Sequence, residues 1–409
     1  MDRRRFLKNG SMGTLLSLVG PTVASASRPT DETVSCAVIG FGPWGRDIAA
    51  AIEDIPEMSL SAICDDYPIM LRRAQRAHPD TVRHADCRAV LDDPTIQAVF
   101  VATPTHLHRQ IVIDALAAGK HVYCEAPMAA SIDDARAIAQ AALAVPGQIF
   151  QVGLHLRTEP QYRSVFGFIR SGALGKPLYG KAQWHNKDSW RRPTSDASRQ
   201  KAQDWRLDPE VTLGMIGELG LQQLDGANWV FGGYPTAVTG FSSTLFWNDG
   251  RSVPDTVQAV FEYEGGQRLL WDATLASSFD SAYELFYGSD STIMMRDQKA
   301  WMFKEVDAPM LGWEVYARRD RFYRETGIAL LANATKLDAI GQDPTADDPN
   351  RKSPLWHALK AFADNVFFGP FPPVADAHLG FATTVLAVAS RDAVRQGGRV
   401  AIDPASYLL

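Results

Sequence analysis

Four cysteines in 409 residues, with no Cys-x-x-Cys, are too few for a disulfide scaffold. Cys36, Cys64 and Cys124 fall in strand-like apolar runs and read as buried thiols; an oxidising compartment would permit a bridge, but no pairing is identifiable. An excess of positive charge is also missing. Lys and Arg total 41 against 47 Asp and Glu, a net charge of −6, which excludes a basic footprint for nucleic acid or anionic lipid. No run is long and apolar enough for an ordinary membrane span; the stretch Met12–Ala24 is too short. There is no internal repeat, and the one linker-like stretch is Gln342–Pro354, rich in Asp and Pro. What remains is a globular chain long enough for two domains.

The strongest positive signal begins at Val34. An apolar strand, Val34–Ile39, runs into Gly40-Phe41-Gly42-Pro43-Trp44-Gly45, a helix-like segment follows, and a second apolar strand ends at Asp65 about twenty residues later. Gly40 permits the tight turn, and Gly42 lets the backbone approach a pyrophosphate. Gly45 lets helix and strand pack closely, with the diphosphate at the helix N-terminus. Asp65 can accept both hydroxyls of an adenine ribose, and its charge repels a 2′-phosphate. NAD is therefore favoured over NADP, although Arg72 and Arg73 lie nearby.

The N-terminus reads as an address. Arg3-Arg4-Arg5-Phe6-Leu7-Lys8 resembles the twin-arginine export signal, and Ala24-Ser25-Ala26 offers small residues for cleavage. That route carries folded proteins with cofactor already bound, as a nucleotide-dependent protein outside the cytoplasm requires. Residues 1–26 are therefore expected to be a signal peptide, with the mature protein periplasmic or otherwise exported through the twin-arginine machinery.

Strand and helix patterns alternate over 33–153 at βαβ spacing, with Ala98–Ala102 a continuous apolar strand of the buried parallel kind. Ser131-Ile132-Asp133-Asp134 reads as a capped helix start. From about Leu178 the strands alternate instead: Ala237–Phe241, Val257–Tyr263, Leu269–Thr274 and Ser291–Met295. The expected architecture is an α/β Rossmann domain over 33–153 and a second α+β domain over 154–409 with a large, mostly antiparallel open sheet. Helices over Leu355–Val366 and Gly380–Gln396 are expected to pack on that sheet.

Several motifs in order then resemble the glucose–fructose oxidoreductase/inositol dehydrogenase (Gfo/Idh/MocA) family over nearly the whole mature length. They are Gly40–Gly45, Ala102-Thr103-Pro104 with His108, Ala118–Val122, Glu125-x-Pro127, Val152-Gly153, Ser171–Lys176, and Glu218-Leu219-Gly220 with Asp225. The resemblance implies hydride transfer between a tightly bound nicotinamide and a sugar, polyol or related substrate. It also implies a homodimer or homotetramer packed through the large sheet. It places Phe41, Pro43, Trp44, Thr103, Pro104, His106, His108, Glu125, Ala126 and Pro127 around the nucleotide with the glycines and Asp65. His106, His108 and His121 are thereby read as pocket residues, and no metal is expected.

Two departures stand out. The family reads Glu-Lys-Pro where this chain has Glu125-Ala126-Pro127, and its Asp-x-Gly-x-His-x-x-Asp becomes Glu218-x-Gly220-x-Gln222-x-x-Asp225. Ala126 cannot bind or tune a substrate hydroxyl, and Gln222 has no basic nitrogen. Glu218 can be read as a replacement base or as a buried acid paired with an arginine. His155, Arg157 and Tyr162, where the first domain hands over to the second, are candidates for proton transfer and substrate binding, with core packing as the alternative. Catalytic candidates are thus Glu218, His155 and Tyr162; substrate-binding candidates are Arg157, His185, Lys187, Trp190, Gln222 and Asp225. The loop Trp184–Pro193 suits a carbohydrate, with indole faces for C–H surfaces and cations for hydroxyls, or else an oligomer contact. Asp249, Arg251, Tyr283, Glu284 and Trp313 are placed on the sheet side of the same cleft.

Three functions fit this pattern. One is an NAD-dependent sugar or polyol oxidoreductase with a non-standard catalytic set. Another is a glycoside hydrolase working by transient oxidation and elimination, as in the NAD-dependent α-N-acetylgalactosaminidases that the chain also resembles. The third is a nucleotide-binding member without catalysis.

Overall fold

The computed structural model describes residues 33–322, 325–332 and 351–409. The export motif and most of the linker-like stretch lie outside these residues. No helix among the described residues is long and apolar enough to cross a membrane.

Strands β1 (Val34–Ile39), β2 (Met58–Cys64), β3 (Val82–His84), β4 (Ala98–Val101), β5 (His121–Cys124) and β6 (Phe150–Val152) form one parallel sheet in the order β3-β2-β1-β4-β5-β6. The order reverses between β1 and β4, which places the glycine turn at the switch point where such sheets bind ligands. All four residues of β4 are buried, as strands covered on both faces must be. Ser131 caps the helix Ile132–Ala144 by accepting from the Asp134 amide, as its sequence pattern predicted.

Among the described residues the second sheet has ten strands: β7 (Pro177–His185), β8 (Ala237–Ser243), β9 (Thr256–Glu262), β10 (Arg268–Thr274), β11 (Ala282–Gly288), β12 (Ser291–Arg296), β13 (Lys299–Lys304), β14 (Arg319–Arg321), β15 (Thr326–Ala329) and β16 (Arg399–Ala401). Their order is β14-β15-β13-β12-β11-β7-β10-β9-β8-β16, antiparallel throughout except for β7 beside β10. Alternation separates the faces. Leu269, Trp271 and Ala273 are buried under helices, whereas Leu270 between them is 41% exposed. The Trp271 indole donates to Gln223 of the helix Leu221–Phe231 at 2.8 Å, which identifies the covered face.

One expectation is corrected. The helix Pro354–Phe368 packs on the first sheet, not the second. Its Phe362 lies edge-on to Phe100 and Tyr123, with ring centres 5.3 and 5.8 Å away. Leu355, Leu359 and Phe362 form the apolar stripe that this face of the parallel sheet needs. The helix Ala377–Gln396 bridges both layers: a Cβ on Gly380 would meet Val152 and Met128, and one on Gly240 of β8 would meet Val394.

Candidate active site

At the switch point Gly40 sits at φ +95°, which an L side chain resists, and a Cβ there would lie 2.7 Å from the Ala102 carbonyl oxygen. A Cβ on Gly45 would lie 1.9 Å from the Gly40 oxygen, whereas one on Gly42 would meet nothing within 4 Å. The helix Pro43–Glu53 starts with proline, has no side-chain cap and no acid in its first turn. Its first amides are therefore left for an anion. Asp65 accepts from the Phe41 amide (2.7 Å) and the Tyr67 amide (2.8 Å), one on each oxygen. Burial raises its pKa, and the two backbone bonds oppose that shift. A lone pair on each oxygen remains for ribose hydroxyls.

The loop after β4 is pinned from below. His108 is buried, with Nε2 2.8 Å from the Thr103 carbonyl oxygen and Nδ1 3.5 Å from Cys124 Sγ, and burial drops its pKa to about 4. His121 Nδ1 accepts from the Ile149 amide at 2.9 Å, so these two rings hold backbone rather than share a ligand. Thr103 Oγ1, His106 Nδ1 and Glu125 Oε1, by contrast, are buried with no hydrogen-bond partner. Burial pushes Glu125 up to about 8, with bonds from the Trp44 indole and the Ala126 amide working against that rise. Open space over Gly42, an uncapped helix start and three orphaned polar atoms fit a dinucleotide laid across the strand ends.

The other wall of the junction is built on Ile216–Gly220, a single π-turn running into the helix Leu221–Phe231. Such turns recur at functional sites. Gln222 is committed to the protein: its Nε2 donates to the Gly153 carbonyl (2.7 Å) and lies 3.2 Å from His155 Nδ1, while its Oε1 faces the Leu156 amide at 3.5 Å. Because a carbonyl must accept, the amide orientation is fixed, so His155 Nδ1 is an acceptor and its proton sits on Nε2. Burial lowers His155 to about 4, leaving it neutral near pH 7. Its ring centre lies 6.0 Å from that of Trp44, on the glycine-turn helix.

Glu218 precedes Gln222 by four residues. It bonds to the Thr105 hydroxyl of the nucleotide domain, accepts from the Leu213 amide at 3.4 Å, and has Arg206 Nε at 3.8 Å. Burial raises its pKa despite Arg206. Glu218 is thus a buried acid near an arginine, and it is also held against the nucleotide domain. Arg206 lies 4.4 Å over the Trp205 ring, which in turn is 6.1 Å from His106. Sequence reasoning missed Trp205 and Arg206, which follow the noted aromatic and basic loop without a motif of their own.

Other candidates are not brought here. Tyr162 is buried in the second domain, bonded to Glu284 of β11, and burial raises its pKa well above 10. Glu284 is itself pushed up to about 7 by burial and contacts Gln223, so both belong to a core network and neither lines the junction. Arg157 and Asp225 face each other, with Nε–Oδ2 at 2.6 Å and Nη2–Oδ1 at 2.8 Å, and so tie the hand-over loop to the helix Leu221–Phe231. His185 bonds Asp272 at 2.6 Å on the sheet face that carries Leu270, opposite the helices. Lys187 lies 4.5 Å over the Phe246 ring, and Trp190, at φ +59°, is buried beside Asp188. Asp249 joins Arg191 and the buried Arg251 side chain in an ion cluster, and Trp313 packs on Phe168 at 4.8 Å.

Fold and cradle together define a two-domain dinucleotide-binding protein of the oxidoreductase kind. Residues 34–154 match the profile "Oxidoreductase family, NAD-binding Rossmann fold", and residues 162–294 match "GFO/IDH/MocA C-terminal domain". The chain belongs to the Gfo/Idh/MocA family, and its nucleotide is NAD. It is 25% identical over 262 residues to the uncharacterized oxidoreductase YrbE of Bacillus subtilis, covering 64% of this chain and 71% of that protein. It is 32% identical over 166 residues to an inositol 2-dehydrogenase of Burkholderia multivorans, covering 40% of this chain and 49% of that enzyme. A levoglucosan dehydrogenase in complex with NADH and L-sorbose shares the fold, with a TM-score of 0.72 at 20% identity over 91% of this chain and 100% of that one.

Proposed function

We propose that this protein is an NAD-dependent oxidoreductase that moves a hydride between the nicotinamide and a hydroxyl-bearing carbon of a sugar or polyol. The observation that carries this reading is the pair of groups at the domain junction. Glu218 is a buried carboxyl of raised pKa, tied to the nucleotide domain through Thr105. His155 is a neutral imidazole whose proton is fixed on Nε2 by Gln222. Bound NAD supplies the hydride acceptor for substrate oxidation. Glu218 takes the hydroxyl proton as the C–H bond breaks, the work of a general base poised by burial. His155 Nε2–H donates to the same oxygen as it becomes a carbonyl, and the Arg206 charge favours the carboxylate form of Glu218 that accepts the proton. Gln222 thus does not replace the family histidine; it orients a different one. The relatives named above as an inositol and a levoglucosan dehydrogenase support the substrate class and favour net redox over glycoside cleavage.

The discriminating experiment compares Glu218→Gln and His155→Asn with the parent on a panel of sugars and polyols. Both variants should keep NAD affinity, and Glu218→Gln should lose roughly 10²-fold or more in turnover. Equal turnover in the parent and Glu218→Gln would remove the assignment. We also infer self-association through the open sheet face, where Tyr179 and Tyr287 stack at 4.1 Å and Leu270 is exposed. Export is inferred from Arg3–Lys8, and retention of NAD during export is the functional demand that links the two.

A further inference from the structure

One set of contacts serves neither the cradle nor the proton-transfer groups. The long connection after β7 sends Thr194–Arg199 of the second domain across to the end of β2. There the Tyr67 hydroxyl lies 2.7 Å from Thr194 Oγ1. Arg199 forks onto Asp66, with Nη1–Oδ2 at 2.9 Å and Nη2–Oδ1 at 2.5 Å, and its guanidinium lies 5.1 Å over the Tyr67 ring. The turn that presents it is shaped locally. Asp196 Oδ1 accepts from both the Ser198 amide (3.0 Å) and its hydroxyl (2.6 Å), while the Asp196 amide donates to Thr194 Oγ1 at 3.1 Å.

The place matters because the end of β2 is where a Rossmann domain holds the adenosine ribose. Asp65, the ribose acceptor, is the residue before Asp66, and the Arg199 charge acts on it directly. Arg199 Nε is buried and has no acceptor in the protein, although both terminal nitrogens are engaged. An arginine delivered from the second domain thus bridges the two domains at the adenosine end and keeps one donor unused.

We propose that Arg199 is a cofactor-retaining residue: it clasps Asp66 and Tyr67 over the adenosine portion of bound NAD, and the nucleotide leaves when this clasp opens. This rests on the NAD-binding assignment of the domain. The guanidinium held by Asp66 is also unavailable to a 2′-phosphate, which adds to the discrimination exerted by Asp65.

The test measures NADH release from the loaded full-length protein after mixing with excess NAD, by loss of bound-NADH fluorescence. Arg199→Ala, Asp66→Asn, the double variant and Arg199→Lys are compared with the parent. Loss of the forked pair predicts release up to about fivefold faster in Arg199→Ala and in Asp66→Asn, with the double variant no faster than either. Arg199→Lys should not restore slow release, because a point charge cannot fork. Unchanged release in Arg199→Ala, or strictly additive effects in the double variant, overturns the clasp. Should Arg199→Ala fail to fold, Asp66→Asn alone decides by the same release rate. A parent that binds no NADH would instead overturn the nucleotide assignment.

Discussion

Gly42 and Gly45, three residues apart in the motif, should fail in opposite ways when given one methyl group. At Gly45 the new Cβ would lie 1.9 Å from the Gly40 carbonyl oxygen and 2.9 Å from its carbon. Both are backbone atoms of the tight turn and cannot swing away. Gly45→Ala should therefore cost about 3 kcal/mol or more, the upper end of overpacking penalties, and lower the melting temperature of the nucleotide-free protein. At Gly42, φ is −65° and the Cβ meets nothing within 4 Å. Gly42→Ala should leave folding unharmed, or stabilise it by up to about 1 kcal/mol through the unfolded chain. The same methyl group, however, fills the space across which a diphosphate must reach the helix amides. Overpacking of about 1–3 kcal/mol there corresponds to NAD binding roughly 5- to 150-fold weaker. Calorimetric melts of the apo proteins and titration with NAD measure the two quantities separately. Unchanged NAD affinity in Gly42→Ala, with its melting temperature retained, would refute the placement of the diphosphate over Gly42.

Three further outcomes are expected. The rate of substrate oxidation should rise with pH through an acidic limb set by Glu218, at a pKa above its ordinary 4.5 because burial favours the protonated form; Glu218→Gln should abolish that limb, as a pH–rate profile will show. Asp225→Ala leaves the part-buried Arg157 guanidinium without its counter-charge and should cost up to about 3 kcal/mol by denaturant unfolding. Replacing Arg3 and Arg4 together by lysine should hold the precursor in the cytoplasm, because the pair is read by a receptor and not as charge alone; processed protein outside the cytoplasm would exclude that route.

What could be read from the chain follows from how local each constraint is. Gly40, Gly45 and Asp65 are dictated by turn geometry and close packing within one βαβ unit, so their pattern was legible and the cradle follows it. The strands of the second domain were legible by alternation, as in Leu269–Leu270–Trp271. The stripe on Pro354–Phe368 announced a buried face but not its partner, and the open face of the parallel sheet took it. Tyr162 illustrates the harder case. Its aromatic hydroxyl beside the hand-over loop suggested chemistry, but its partner Glu284 lies far along the chain and draws it into the core. Gln222 was legible as a missing histidine, yet only the structure shows its contacts with Gly153 and His155. Arg199 and Arg206 carried no motif at all, because their meaning depends on which loop lands opposite them.

The central claim is hydride transfer to bound NAD at the junction of Glu218 and His155. Single-turnover reaction of the NAD-loaded protein with sugars and polyols deuterated at their carbinol carbons tests it directly, with the nucleotide then analysed by mass spectrometry. At least one substrate should deliver one deuterium to the nicotinamide, and Glu218→Gln should suppress that transfer while retaining the nucleotide. Tightly bound NAD that acquires no deuterium from any member of the panel would contradict the account.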